Sequence, residues 1–108
     1  MNSWVGVDLD GTLAYYDHWR GDYHIGDPIP RMVDTVNSLL ESGLNVKIFT
    51  ARASGGRNTD HIKDWCEKHI GRRLEVTAEN DFEMQFLIDD RCFQVIPNTG
   101  AILMAGQA

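Results

Sequence analysis

The sequence predicts an α/β fold, a three-layer Rossmann-like arrangement around a central, mainly parallel sheet. Three observations predict it. Short apolar runs at Trp4–Leu9, Leu44–Phe49 and Phe86–Ile88 have the length and composition of buried strands. Between the first two and after the second, apolar residues recur at helical spacing. Strand-like and helical segments therefore alternate, the order that yields a parallel sheet with helices on both faces. A chain of 108 residues supports one core but not two, so residues 1–108 read as a single domain.

Taken in order, Trp4–Leu9 is the first strand. Residues 14–29, rich in Tyr, Asp, Gly, His and Pro with no helical period, form a long loop that can hold a small hairpin, and loops of that length in a small domain are usually functional. The first helix starts at Pro30, whose fixed φ suits a first turn; Met32, Val33, Val36, Leu39 and Leu40 give its apolar face and Gly43 ends it. Leu44–Phe49 is the second strand, closed by Thr50, and Ala51–Arg57 a Gly-rich loop. Asn58 or Thr59 caps a second helix whose apolar face is Ile62, Trp65, Cys66, His69 and Ile70, with Gly71 as its stop. Leu74–Thr77 is a third strand, Asp81–Met84 at most a helical turn, Phe86–Ile88 a fourth strand and Gln94–Ile96 a fifth. Pro97-Asn98-Thr99-Gly100 turns the chain towards a final edge piece at Ile102–Met104.

Composition narrows the function. A net charge of −6 argues against a nucleic-acid backbone as the main partner, because that binding rests on clustered Lys and Arg. Cys66 and Cys92 form no CxxC pair and read as free thiols in a reducing cytosol. The start of the chain lacks a basic region followed by an apolar stretch, which predicts no secretory leader. No segment approaches the apolar length of a membrane span. His18, His24, His61 and His69 show neither HxH nor HExxH spacing, so zinc is not indicated. Trp65 reads as core. The Tyr15-Tyr16-Asp17-His18-Trp19 cluster reads equally as a substrate-gating flap or as loop packing.

The chemistry gathers where strands end. Asp8 and Asp10 close the first strand, Thr50 the second, and Asp89-Asp90 the fourth. In an open α/β sheet, ligands bind outside the carboxyl ends of the strands, so these residues are expected at one edge. Side chains two apart on a strand point the same way, and like charges crowded together are unfavourable without compensation. Carboxylates with a backbone carbonyl suit Mg²⁺, which keeps waters and takes a phosphate oxygen as a further ligand. A carboxylate beside that ion can attack phosphorus, the ion offsetting the repulsion between two anions.

Asp8-Leu9-Asp10-Gly11-Thr12-Leu13 resembles the first motif of the haloacid dehalogenase-like (HAD) phosphohydrolases; Phe49-Thr50-Ala51-Arg52 resembles their second motif and Ile88-Asp89-Asp90-Arg91 their fourth. The chain is similar to small, often phage-borne HAD-like proteins that carry the phrases found here at 25–30 and 96–100. The resemblance implies a HAD-like phosphatase in which Asp8 is nucleophile and Mg²⁺ ligand. Asp10 is then general acid/base and lends its backbone carbonyl to the metal. Thr50 binds phosphoryl oxygens with the backbone N–H groups of Leu9 and Ala51, and Arg52 joins them as a phosphate-binding residue. Asp89 ligates Mg²⁺ directly and Asp90 through water. The short intervals after Leu13 and after Arg52 imply no cap domain, so either the substrate is bulky or another copy of the chain covers the site.

One departure stands out. The third HAD motif supplies a Lys, expected here in Val76-Thr77-Ala78-Glu79-Asn80-Asp81, and Asn80 occupies its place. Arg52 or Arg57 is expected to replace it in part. The sequence thus favours a Mg²⁺-dependent phosphomonoester hydrolase acting on a phosphorylated substrate. The alternative is a weak or inactive phosphate- or nucleotide-binding module. A nucleic-acid end phosphatase suits the missing cap but fits the acidic charge poorly.

Overall fold

The computed structural model describes residues 2–103. In chain order its elements are β1 (Trp4–Asp8), α1 (Pro30–Glu41), β2 (Asn45–Phe49), a short 3₁₀ segment (Ala51–Gly56), α2 (Asp60–Ile70), β3 (Glu75–Thr77), β4 (Met84–Ile88), β5 (Gln94–Val95) and β6 (Ile102–Leu103). Strands β3-β2-β1-β4 form one sheet in that order, and all its pairings are parallel. The fold is the expected one, a Rossmann-like α/β domain with a central parallel sheet.

The core follows from strand alternation and register. Val5 and Val7 point to the same face of β1 and pair with Val46 and Ile48 of β2. That face meets Val36 of α1 and Ile62, Trp65 and Cys66 of α2 in one buried cluster. Helices were expected on both faces, but α1 and α2 share this one. The reason is topological. Steps β1→β2 and β2→β3 run in one direction across the sheet, and right-handed crossovers then put both helices on the same side. The step from β3 back across to β4 reverses direction, yet residues 78–83 are too few for a helix. This connection instead ties down the opposite face: Trp4 Nε1–H donates to Asp81 Oδ1 at 2.8 Å, and Trp4 N–H to the Glu83 carbonyl at 3.0 Å. With Lys47 Nζ over its ring at 4.6 Å and Phe49 stacked at 6.4 Å, Trp4 is buried without a helix above it.

Several local expectations hold. Pro30 opens α1, and Gly71, with φ of +93°, ends α2 in a left-handed cap. Of the two candidate caps for α2, Asn58 acts: its Oδ1 accepts the Asp60 N–H at 2.8 Å, while Thr59 makes no side-chain cap bond. Others shift. Ala51–Arg57 is not a plain loop but two short helical turns that break at Ser54 and Gly55. The β5–β6 pair is a separate antiparallel ribbon rather than an extension of the main sheet; Met104, placed in its last strand from sequence, lies outside the described residues. Among the described residues, no helix is long and apolar enough to cross a membrane.

Residues 14–29 form a flap closed at its base like a hairpin. Tyr15 N–H donates to the Asp27 carbonyl and Ile29 N–H to that of Leu13, both at 2.8 Å. The two arms approach so closely that a Cβ at Gly26 would stand 1.9 Å from the Tyr15 carbonyl oxygen; only glycine fits. The Gly26 carbonyl in turn accepts Trp65 Nε1–H at 3.1 Å, pinning the flap to α2.

Candidate functional site

The sheet order fixes where the site is. From β1 the chain moves towards β2, whereas β4 lies on the other side of β1. The carboxyl ends of β1 and β4 therefore flank a topological switch point, the crevice where open α/β sheets bind ligands. Asp8 ends β1, and Asp89 and Asp90 follow β4. One carboxylate oxygen from each lies within 4.8 Å of the other two.

Asp8 is buried, and its carboxyl is pushed up from 3.8 to about 7. Loss of hydration is the largest cause, followed by a hydrogen bond with the Asp90 carboxyl and the nearby charges of Asp89 and Asp90; the Thr12 hydroxyl works weakly the other way. Thr12 holds the group together. Its Oγ1 stands 3.2 Å from Asp8 Oδ2 and 3.1 Å from Asp90 Oδ1, and it accepts the Asp90 N–H at 3.0 Å. Gly11 allows this closeness: its φ is +89°, and a Cβ there would meet Asp90 Oδ2 at 2.7 Å. Three crowded carboxylates bridged by one hydroxyl make an all-oxygen donor set suited to a hard divalent cation such as Mg²⁺. The residues fit that ion.

Asp10 stands apart from the three acids. Its two oxygens accept from Arg52 Nε and Nη2 at 2.8 and 2.9 Å, a bidentate pair spanning 42 residues of sequence. Arg52 is itself buried. Its Nη1 donates to the Asp22 carbonyl at 2.9 Å, and its guanidinium lies 4.8 Å from the centre of the Trp19 ring. Arg52 thus joins Asp10 to the flap. Thr50, also buried, accepts the Arg52 N–H through Oγ1 at 3.2 Å and gives its own N–H to the Thr77 carbonyl at 2.9 Å. The hydroxyl proton of Thr50 stays available to an incoming oxygen.

Asp8, Asp10, Thr50, Ala51, Arg52 and Asp90 line one open cleft of about 320 Å³. Asp89 joins the acid cluster from beside it, its Oδ1 accepting the Arg91 N–H at 2.9 Å. The Leu9 side chain is in the core, and its carbonyl accepts the N–H groups of Leu13 and Ala14, so only its own N–H is left for the role expected of it. Asn80 is exposed and does not line the cleft. The cations that do are Arg52, Arg57 and Arg91. Arg52 is committed to Asp10; Arg57 and Arg91 form no ion pair among the described residues.

Sequence reasoning gave no role to Thr12 or Arg91, although both lie inside quoted motifs. It left Tyr16 and Trp19 between flap and packing; both line the cleft.

No family model matches this chain, nor does any curated protein. Among solved structures, a conserved protein from Bacteroides thetaiotaomicron is similar, with a TM-score of 0.59 at 22% identity over 82% of this chain and 75% of that one. Likeness at that identity speaks for the fold alone.

Proposed function

We propose that this protein is a Mg²⁺-dependent phosphomonoester hydrolase of HAD type that works through a phosphoaspartate at Asp8. The observation that carries the reading is the meeting of Asp8, Asp89 and Asp90 at the switch point, with Thr50 and Asp10 on the same cleft. Asp8, Asp89, Asp90 and the Asp10 carbonyl would hold the ion. Bound there, Mg²⁺ would keep Asp8 ionised and offset its repulsion from an incoming phosphate.

The chain's own residues supply the rest. Thr50 Oγ1–H and the Ala51 N–H bind phosphoryl oxygens and orient the phosphorus towards Asp8. Asp8 Oδ bonds to phosphorus as the ester P–O bond breaks, and the leaving alkoxide takes a proton from Asp10. Water then attacks the phosphorus of the acyl phosphate, giving its proton to Asp10 and releasing phosphate and free Asp8. Each Asp10 oxygen accepts an Arg52 N–H, and the oxygen that delivers a proton to the leaving group must turn from that donor to the alkoxide. Leaving-group protonation therefore needs Arg52 to release one oxygen of Asp10. Arg57 and Arg91 are the cations free to take the charge-neutralising part of the absent Lys. A reducing cytosol is the compartment this reading assigns, consistent with two unpaired cysteines.

The test is hydrolysis of a generic aryl phosphate with and without Mg²⁺, by the wild type and by Asp8→Asn. Turnover that needs both the ion and Asp8 is expected. Turnover retained in Asp8→Asn would overturn the mechanism. The second reading, a binding module with little turnover, is favoured by the exposed Asn80 lying outside the cleft; Mg²⁺ binding without hydrolysis would select it.

A further inference from the structure

Trp19 is the feature of the cleft that phosphoryl transfer does not explain. The residue is half exposed, at 50%. Arg52 covers one ring face, and Arg52 is fixed by three hydrogen bonds, two to Asp10 and one to the Asp22 carbonyl. The exposed surface therefore includes the remaining face and edge of a ring backed by a fixed guanidinium. That surface borders the site cleft and a neighbouring one of about 250 Å³ shared with Arg57, Asn58 and His61. Tyr16, 44% exposed, lines the site cleft as well.

A half-exposed indole backed by a guanidinium is suited to stacking against another planar ring, since every nucleobase has a π-face and stacking tolerates differences among them. Its place beside the phosphate-binding residues sets the reach. Trp19 touches Arg52, Arg52 touches Asp10, and Asp10 lies two residues from Asp8. Trp19 and Asp8 line the same cleft, so one ligand can meet both. We propose that the substrate is a free nucleoside monophosphate, its base stacked on Trp19 and its phosphate directed at Asp8. Arg57, on both clefts, lies where it can meet the sugar or the phosphate. The chain's net charge of −6 favours the free nucleotide over the end of a nucleic acid, which would bring many more phosphates to an acidic surface. This inference rests on the phosphohydrolase reading for its chemistry, but the ring's part in binding is separable from it.

The experiment compares adenosine 5′-monophosphate with ribose 5-phosphate, the same ester lacking the base, on the wild type, Trp19→Ala and Trp19→Phe in Mg²⁺. The reading is kcat/KM where a compound is turned over and Kd by calorimetry where it is not. The wild type is expected to favour the nucleotide by about tenfold or more, Trp19→Ala to lose most of that ratio and Trp19→Phe to keep most of it. A wild type that hydrolyses an aryl phosphate yet treats the two compounds alike overturns the inference and leaves the hydrolase standing. Trp19-dependent preference for the nucleotide with no turnover of any compound upholds the inference and removes the hydrolase. A 5′-phosphorylated oligonucleotide preferred tenfold over the mononucleotide, with steep salt dependence, overturns the assignment to a free nucleotide.

Discussion

At the scale of single residues, the site is a set of charges that need one another. Thr12 is the bridge between Asp8 and Asp90. Thr12→Val keeps the shape and removes the hydroxyl; because residues that orient a ligand set typically carry 10–100-fold in metal affinity or activity, we expect Mg²⁺ affinity to fall by about that factor, read by calorimetry. Arg52→Ala strands the Asp10 carboxylate in a partly buried position. It is expected to cost about 3 kcal/mol of stability in urea unfolding, and Asp10→Asn in the same background to recover part of it. The raised Asp8 carboxyl gives a pH signature. Its folded value of about 7 lies above the ordinary 3.8, so the folded state binds the proton more tightly. Its contribution is fully present below about pH 4 and is lost as pH rises through about 7. Metal-free wild type should lose stability over that interval relative to Asp8→Asn. Mg²⁺ must displace the same proton, so its apparent affinity should weaken as pH falls below about 7. Calorimetry in two buffers of different ionisation enthalpy reads the proton released.

At the scale of elements, the flap is held at three points: its own base, Gly26 on Trp65, and Asp22 on Arg52. Gly26→Ala drives a methyl into the Tyr15 carbonyl, so the arms must part. We expect loss of stability together with weakened substrate binding, whereas Leu74→Ala, which removes core packing away from both clefts, should cost about 2–5 kcal/mol and leave KM unchanged. Comparing the two separates flap geometry from general destabilisation. The elements show what the sequence could and could not say. Apolar runs made β1, β2 and β4 legible as strands, although only β1 is buried throughout and β4 is a half-exposed edge strand, and Pro30 and Gly71 marked helix ends by their backbone preferences. Asp8, Thr50 and Asp89 were legible as one site because parallel strands bring their carboxyl ends to one edge. The Asp10–Arg52 pair was not, because it depends on the path of the flap. Nor was the common side of α1 and α2, which strand order decides and periodicity does not report. The Gln94 and Ile102 runs could be seen as strands, but so short a pattern does not say which sheet they join.

At the scale of the whole molecule, the reversal of direction between β3 and β4 is what makes a site. It opens the crevice that Asp8, Asp89 and Asp90 share, and the absence of a helix over residues 78–83 leaves Asn80 on the surface rather than in the cleft. Without metal, the three carboxylates crowd at the carboxyl end of the sheet, relieved only by the Thr12 bridge and by proton uptake on Asp8. Mg²⁺ should stabilise the whole domain by mass action, about 2.7 kcal/mol at a hundredfold excess over Kd, seen as a rise in Tm. Asp89→Asn should blunt the rise. The central claim is that Asp8 itself carries the phosphoryl group. The measurement that tests it most directly is mass spectrometry of the protein acid-quenched during turnover of an aryl phosphate in Mg²⁺. The account predicts a phosphoryl adduct on the peptide containing Asp8, present in the wild type, absent without Mg²⁺ and absent in Asp8→Asn. Steady turnover with an adduct on another residue would contradict it.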